Sequence, residues 1–367
     1  MGLFISYISR SSYTPPLLTL PVETLWLITA HLSSSPESII TLSLTCKSLF
    51  FILERDAANI QGKCRDRLLV LLEKDLGDRF FYHSTCSQLH RFSPGWNPIT
   101  REHLWCGKIM PNHLSCFFGQ YFYPNPANNA RYRLYHVHAR LVMNRHFYGS
   151  SKGLPLESLA KPAYVRSLSG QLLWLQSPYA RIISDELFLR ITHTIEGRSA
   201  TLRASIDNGW YCICMHVSTD PLDLILRQVH SMHKIPELSQ PEKERQDSET
   251  DSSHFQDCQD VLGCCRECLT DYVITIERAE VYELVSTINA RDRRNLGPFA
   301  NGWRITIVAY HQLGRCREIE DWKWVTLRGV DVCRSPGTPC PRRDMAHYPS
   351  GIVRQKWKAE GHRPEEP

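Results

Sequence analysis

Residues 20–53 read LPVETLWLITAHLSSSPESIITLSLTCKSLFFIL, and this stretch predicts a set of short helices. Pro21 suits a first helical turn, where the N–H group that proline lacks would have no partner within the helix. Leu25, Ile28 and Leu32 recur at spacings of three and four residues, so they share one apolar face. We therefore expect a helical region to begin near residue 20.

Further helices are expected downstream. Ser35 is a suitable N-cap and Pro36 a suitable first helical residue. Residues 39–53 are apolar around most of a helix circumference, with one short polar interruption. A last helix fits residues 65–76, where Gly77 provides the C-terminal stop. The first quarter of the chain is thus predicted to be helical.

Beyond about residue 130 the sequence is rich in β-branched and aromatic residues, which is typical of strands. Strands are expected at residues 132–142, 186–195, 210–217, 272–276 and 303–310. The predicted fold class is therefore α+β, with a small N-terminal three-helix domain followed by a β-rich domain.

Two segments have compositions that disfavour a packed structure. Residues 235–257 contain a long polar tract that cannot bury enough apolar surface to offset its ordering entropy, so a disordered insertion is expected there. The C-terminal tail is rich in proline and shows almost no periodicity. The expected division is a flexible arm at 1–16, the helical domain at 17–60, the β-rich domain at 61–234 and 258–332, the insertion at 235–257 and a flexible tail at 333–367.

Composition and charge exclude several classes of partner. The 43 Lys and Arg residues against 38 Asp and Glu give a net charge of +5, too small for a surface that coats nucleic acid. No apolar run reaches the roughly 18 residues of a membrane span. The first residues lack a secretory signal, and a myristoylation pattern at Gly2 lacks a second anchor. We expect a cytoplasmic or nuclear protein without nucleic-acid or membrane partners, whose 14 cysteines are thiols or metal ligands.

The helical stretch resembles the F-box, the three-helix domain through which substrate receptors join SCF-type E3 ubiquitin ligases. The resemblance rests on the motifs Leu20-Pro21-x-Glu23 and Thr45-Cys46-Lys47-x-Leu49. It implies that residues 20–53 bind the Skp-type adaptor and, through it, the cullin scaffold, while the C-terminal domain binds a protein target for ubiquitin-dependent degradation. Shorter strings as far as residue 325 are similar to uncharacterised F-box proteins of filamentous fungi. A substrate adaptor of this kind needs no catalytic residues.

The F-box reading identifies candidate adaptor-binding residues. A module of about forty residues is too small to bury all its apolar side chains and usually needs a partner. The candidates are Leu20, Pro21, Leu25, Ile28, Leu42, Leu44 and Leu49. The alternative is that these helices pack against the β-rich domain of the same chain.

Cysteine and histidine spacings indicate a metal site. Cys265-x-x-Cys268 has the spacing of a zinc knuckle, and Cys214 and His216 lie on a predicted strand. These four residues would form one structural, non-catalytic zinc site. The alternative is that the cysteines simply fill the core of adjacent strands.

Two further motifs are weaker. His83-x-x-Cys86-x-x-x-His90 also has metal-ligand spacing.

Ser151, in Gly149-Ser-Ser-Lys-Gly153, matches the nucleophile elbow of serine hydrolases, which requires a strand before the serine and a helix after it. A glycine-rich turn explains the same residues, so we expect no enzyme activity. The first alternative to a ligase adaptor is a zinc-stabilised protein-interaction module that acts outside a ligase, and the second is a serine hydrolase that uses Ser151.

Overall fold

The computed structural model shows a mixed α+β chain in two compact units, Met1–Ser93 and Pro94–Pro367. The residues that it describes are 16–57, 62–83, 87–91, 117–118, 132, 134–166, 172–207, 212–214, 216–218, 233–238, 255–281, 299–319, 321–327 and 348–360. All statements below concern these residues.

The first unit contains helices and one hairpin. Its helices are α1 (Val22–His31), α2 (Pro36–Ser43), α3 (Lys47–Ala57) and α4 (Lys63–Leu76), and its hairpin joins β1 (Phe80–His83) to β2 (Gln88–Arg91). Helix α2 packs against α3 and α4, and α4 packs against both hairpin strands. Pro36 is the first residue of α2 and Gly77 follows α4, as the sequence predicts.

The core of the first unit is built from the inward faces of these helices. Leu25, Ile39, Leu49 and Leu53 are buried. Glu73 of α4 is also buried, and its carboxylate accepts a hydrogen bond of 3.0 Å from the backbone N–H of Tyr82. This buried bond ties the hairpin to the helix, because an unpaired carboxylate there would be costly.

The second unit is organised by a six-stranded antiparallel sheet in the order β11-β12-β13-β7-β6-β5. The strands are β5 (Ala163–Arg166), β6 (Leu172–Ile183), β7 (Glu186–Arg198), β11 (Cys258–Cys264), β12 (Thr270–Val281) and β13 (Phe299–Gly314). The predicted strands at 186–195, 272–276 and 303–310 are therefore confirmed. They extend further than predicted.

Smaller elements of the second unit surround this sheet. Strand β3 (Phe117–Phe118) pairs with β4 (Leu134–Tyr135), and β8 (Cys212–Cys214), β9 (Val217–Ser218) and β10 (His233–Lys234) form a three-stranded sheet. The helices are α5 (His136–Tyr148), α6 (Ser199–Asp207), α7 (Trp322–Leu327) and α8 (Ile352–Glu360). Within the described ranges, no helix is long and apolar enough to cross a bilayer.

Strand register assigns the side chains of the large sheet to two faces, and one of these faces is buried along its length. Ile307 pairs with His193 and Thr270 pairs with His311, which places these side chains on one face. The opposite face carries a separate apolar cluster that includes residues of α8. The cluster consists of Ile183, Phe188, Leu269, Val273, Tyr310, Val353 and Trp357. Away from α8, positions on this second face such as Arg304 and Thr306 are only half-buried, so the strands alternate between buried and partly exposed residues.

The predicted strand at 132–142 is wrong, because α5 occupies most of it. Residues 136–144 of this helix are all buried. A helix that is buried around its circumference shows neither a clean period of 3.6 nor one of 2, so periodicity could not separate it from a strand. The predicted strand at 210–217 is instead two short strands, β8 and β9, that pair across a turn.

Both segments expected to lack structure contain ordered parts. Leu238 is buried at the end of a short 3-10 helix (Pro236–Leu238), and Ile235 before it and Phe255 are buried as well, so the ends of the 235–257 insertion belong to the fold. Residues 239–254 lie outside the described part of the chain. Within the expected tail at 333–367, helix α8 packs on the sheet through Val353 and Trp357. Apolar burial of these side chains offsets the entropy cost of ordering them.

Candidate metal centre and exposed apolar surface

Four buried side chains of the second unit converge on one point. They are Cys214, His216, Cys265 and Cys268, and their ligand atoms all lie within 4.8 Å of one another. A zinc–sulfur bond of about 2.3 Å in a tetrahedral site places the ligand sulfurs about 3.8 Å apart. The cluster therefore fits a single ion after a shift of less than about 1 Å.

Two short turns bring the four residues together. Cys214 ends β8 and pairs with Val217, so that His216 lies in the turn between β8 and β9. The prediction that both residues lie on one strand is therefore wrong, although their place in one cluster is confirmed. The turn places the side chains of Cys214 and His216 together at one end of the small sheet.

The second pair lies in a tight loop before β12. The backbone N–H of Cys265 donates to the carbonyl oxygen of Thr270 at 2.8 Å, and the N–H of Thr270 donates to the carbonyl oxygen of Cys268 at 2.8 Å. The N–H of Glu267 points at the Cys265 sulfur, 3.3 Å away. A backbone N–H directed at a sulfur stabilises its thiolate form, the form that binds metal.

The electrostatics of the cluster favour one thiolate. Burial alone would raise the pKa of Cys214, but hydrogen bonds from Cys265 and Cys268 hold that pKa well below its usual range. Burial and the neighbouring Cys214 raise the pKa of Cys268 well above its usual range. Cys214 therefore loses its proton first. A divalent cation would displace the remaining thiol protons, since only thiolates bind strongly.

A second layer of polar contacts surrounds the ligands. The Cys268 sulfur lies 3.2 Å from the Thr270 hydroxyl, which lies 2.9 Å from Nδ1 of His311. His311 is fully buried, and burial lowers its pKa to about 3, so its ring is neutral. Outer contacts of this kind orient metal ligands and exclude water. Sequence reasoning missed Thr270 and His311, because no spacing rule links residues on different strands.

The donor set limits the chemistry of the site. Three sulfurs and one imidazole nitrogen are the ligands of structural zinc sites. All four side chains are buried, which leaves no open coordination position for a water or substrate. The arrangement suits a metal that stabilises the fold rather than one that catalyses a reaction.

The other predicted metal motif is only partly described. His83 is buried and His90 half-buried, with ring centroids 5.6 Å apart, and burial lowers the pKa of His90. Cys86 lies outside the described residues. The two histidines face each other diagonally across the β1–β2 hairpin.

Ser151 does not have the surroundings of a nucleophile elbow. It follows helix α5 rather than a strand, and a turn rather than a helix comes after it. Gly153 in this turn has φ of +88°, and a Cβ atom there would lie 2.0 Å from the carbonyl oxygen of Leu141. The glycine is therefore required for the close approach of the turn to α5.

In the first unit, an unusual number of large apolar side chains are exposed. Of ten such side chains in the described residues, eight lie between residues 20 and 52. We call these eight the apolar set: Leu20, Val22, Trp26, Leu27, Leu44, Phe50, Phe51 and Ile52. The largest exposed fractions are 73% for Phe51 and 65% for Leu27.

The helices of this unit are apolar on both their inner and outer faces. In α3, Leu49 and Leu53 are buried, whereas Phe51 and Ile52 point outward. In α1, Leu25 is buried while the adjacent Trp26 is 59% exposed. Only one face of each helix is needed for an intramolecular core, so the outer residues have no role in it.

The predicted adaptor-binding residues divide according to burial. Leu20, Pro21 and Leu44 are exposed, and Ile28 and Leu42 are half-buried. Leu25 and Leu49 are buried core residues, so they cannot contact a partner directly. Sequence reasoning missed the aromatic members of the apolar set, although the run Phe50-Phe51-Ile52 carries the signal.

Comparisons with known proteins add no assignment. No family model matches the chain, and neither curated proteins nor solved structures provide a match. The resemblance to the F-box therefore rests on the motifs in residues 20–49. The function has to be inferred from the two sites described above.

Proposed function

We propose that this protein is an F-box-type substrate adaptor of an SCF-type ubiquitin ligase. The first unit would bind the Skp-type adaptor, and the second unit would bind the protein target. The observation that carries this proposal is the apolar set on helices whose sequence resembles the F-box. Monomeric soluble proteins rarely expose so many large apolar side chains close together in sequence, and such exposure is typical of protein interfaces.

The energetics support a protein partner. Full burial of one leucine or phenylalanine side chain is worth about 1.5–3 kcal/mol. Burial of several members of the apolar set would therefore offset the cost of association, which is on the order of 10 kcal/mol. Trp26 and Phe51 are the expected centres of the interface, since large aromatic side chains dominate binding energies.

The proposed mechanism is proximity. An adaptor that holds its target close to a charged ubiquitin-conjugating enzyme raises the local concentration of the reacting groups. It needs neither an acid nor a base nor a nucleophile of its own. The second unit would contribute a rigid scaffold for target binding.

A binding assay with a Skp-type adaptor tests this proposal. Purified full-length protein carrying Leu27→Asp should lose at least about tenfold in affinity, because a buried, unpaired carboxylate is strongly unfavourable. The matched control is Leu262→Asp, since Leu262 is a similarly exposed leucine (61%) on β11 of the second unit. Equal affinity of the two variants, or no binding by the wild type, would contradict the proposal.

We also propose that Cys214, His216, Cys265 and Cys268 hold one structural Zn²⁺. Support comes from the donor set, the burial of all four residues and the closeness of their ligand atoms. The ion would join the small β8–β9 hairpin to the start of β12. This second proposal is compatible with the first, and also with an interaction module that acts outside a ligase.

Metal analysis tests the zinc proposal independently of any partner. Purified protein should contain one zinc per chain, and Cys268→Ser should contain none. Cys264→Ser is the matched control, because Cys264 is adjacent to Cys265 but is not part of the cluster. The site would be ruled out if the wild type contained no zinc, or if Cys268→Ser still contained one zinc per chain.

A further inference from the structure

Strand β11 forms one edge of the large sheet, and its outer side has no strand beside it. Of the elements that the structure describes, only β12 pairs with β11. None of the residues of β11 is buried, and Leu262 is 61% exposed. Such an edge presents a row of unpaired N–H and C=O groups, which proteins either cover or use for pairing with a strand of another molecule.

The ladder between β11 and β12 identifies the unpaired groups. The N–H of Cys265, directly after β11, donates to the carbonyl oxygen of Thr270 at 2.8 Å, so Cys265 points toward β12. In an antiparallel ladder the N–H and C=O of one residue point to the same side, and those of its neighbours point to the other side. The N–H and C=O groups of Leu262 and Cys264 therefore point outward, away from β12.

The usable part of this edge is short. A β-bulge interrupts the register between Cys258 and Val261, and Asp260 within it has a positive φ of 52°. The N–H of Asp260 turns inward and donates to the hydroxyl of Thr275 at 3.2 Å. Residues 261–264 remain in regular register with β12, which is enough for a short pairing with another strand but not for an extended one.

Gly263 makes the middle of this segment flat. A Cβ atom at this position would lie 2.1 Å from Cζ of Tyr272 on the adjacent strand, so only glycine fits beside the tyrosine ring. The ring itself is buried. Because Gly263 has no side chain, the backbone of another strand can approach it closely.

The two ends of the segment carry opposite charges. Asp260 and Arg266 are both exposed, and neither forms an ion pair with a described residue. The Asp260 carboxylate accepts only a long hydrogen bond of 3.5 Å from the Thr275 hydroxyl. When two copies of such a segment lie antiparallel, the acidic end of each meets the basic end of the other. The edge is therefore complementary to itself.

We propose that two copies of this chain pair through β11 into one continuous sheet, with a two-fold axis at Gly263. Leu262 of each copy lies opposite Cys264 of the other, and each of these pairs exchanges two N–H···O bonds. This register uses every outward group of Leu262 and Cys264, and it places Asp260 opposite Arg266 of the second copy. A contact of this symmetric kind closes on itself, so it forms a dimer and not a fibre.

The contact is small, so the dimer is weak. Two short strand edges bury less than about 1,200 Å², which is typical of transient association, and the expected dissociation constant is on the order of 10 µM. The pairing uses residues that belong neither to the metal cluster nor to the apolar set. Each chain of the dimer therefore keeps its own apolar set.

Sedimentation equilibrium of the full-length protein tests the pairing. The average mass should rise from that of one chain toward that of two between about 1 and 100 µM. Leu262→Pro should raise the dissociation constant at least about tenfold, because it removes an outward N–H that no ladder within the chain uses. Leu27→Asp changes an exposed leucine of the first unit, so it is the matched control and should associate as the wild type does.

Charge reversal tests the register. Arg266→Glu and Asp260→Lys should each stay monomeric at a concentration where half of the wild type is dimeric, because like charges then face each other. An equimolar mixture of the two variants should restore the dimer, since each charged pair in the mixed dimer again has opposite signs. The restored dimer also shows that both variants are folded.

Three results would overturn this dimer. The first is a wild type that is still monomeric at about 100 µM, which would leave the edge for a strand of a different protein. The second is association that Leu262→Pro retains and Leu27→Asp loses, which would place the contact in the first unit. The third is a mixture of the two charge variants that stays monomeric although both have the circular dichroism spectrum of the wild type.

Discussion

The two units differ in the side chains that they leave exposed and in those that they bury. The helical unit leaves eight large apolar side chains exposed, whereas the sheet unit buries histidines, cysteines and charged groups in its interior. The first unit thus has more apolar surface than its own fold can cover. The second unit buries histidines, thiols and charged groups that need polar partners, and its Cys214 cluster has the ligands that a metal ion requires.

This difference teaches what each unit lacks by itself. In the proposals above, the exposed apolar side chains would be covered by another protein, which buries a large apolar area. The cluster of three thiols and an imidazole would be completed by an ion, which needs a few ligands at defined distances. Each unit should therefore respond to a different kind of change.

Loss of a metal ligand should give the largest effect. Structural zinc contributes on the order of 10 kcal/mol in small zinc domains. Cys265→Ser should therefore lower the free energy of unfolding of the sheet unit more than any variant below, as followed by tryptophan fluorescence in urea, while the large sheet, which has an apolar core of its own, stays folded without urea. Eight of the nine tryptophans lie beyond residue 93, so fluorescence mainly reports this unit. Unchanged unfolding would show that the ion does not stabilise the sheet unit.

Truncation of a buried side chain in the helical unit should have the second-largest effect on stability. Leu49 is 3% exposed, and Leu49→Ala should lower the free energy of unfolding by about 2–5 kcal/mol. Helix content followed by circular dichroism in urea measures this. Leu44→Ala, at a leucine that is 51% exposed, should change stability by less than about 0.5 kcal/mol. Similar changes in the free energy of unfolding for the two variants would contradict the placement of Leu49 on an inner face and Leu44 on an outer face.

Acid should destabilise the sheet unit through its buried histidines. Burial lowers the pKa of His193 to about 4, from an ordinary value of 6.5. Below pH 6.5 the unfolded chain binds a proton that the folded chain excludes, so stability falls as the pH decreases to about 4 and is independent of this group above 6.5. The expected loss in the free energy of unfolding is about 3 kcal/mol. His193→Gln should remove this part of the pH dependence of stability. If the variant and the wild type lose stability equally with acid, the prediction is wrong.

Truncation of an exposed aromatic residue should have the smallest effect on stability. Phe51→Ala should change the free energy of unfolding by less than about 0.5 kcal/mol, because the side chain is 73% exposed. It should nevertheless weaken binding to the Skp-type adaptor by about tenfold or more. A binding titration and a urea titration on the same preparation separate the two effects. A large loss of stability would place Phe51 in the core instead.

The sequence predicted the candidate metal site well, because both halves of the site are local in sequence. Cys265 and Cys268 share one loop, and Cys214 and His216 share one hairpin. Thr270 was not predicted as a supporting residue, because its contact with Cys268 follows from the start of a strand that could not be placed from the sequence.

The errors in the fold have two physical causes. In α5, complete burial removed the periodicity that distinguishes a helix from a strand. In α8, Val353 and Trp357 have the four-residue spacing of a helix face, but the proline content around them favoured an irregular tail. Neither helix is stable by propensity alone: α8 depends on packing against the large sheet, and α5 depends on burial among other elements, such as the contact of His136 with Trp324 of α7.

The turn between β6 and β7 has a consequence for how the chain acquires its structure during synthesis. Ser184 and Asp185 both have positive φ, at 49° and 62°, which forms a two-residue turn of the primed type that matches strand twist. The long hairpin that it closes needs only neighbouring residues and can form on a microsecond timescale. Strand β13 pairs with β7 from more than a hundred residues away, as in the Arg304–Glu196 bond. We therefore expect this hairpin to form before β11, β12 and β13 leave the ribosome, and those strands to add later to the open edge of β7.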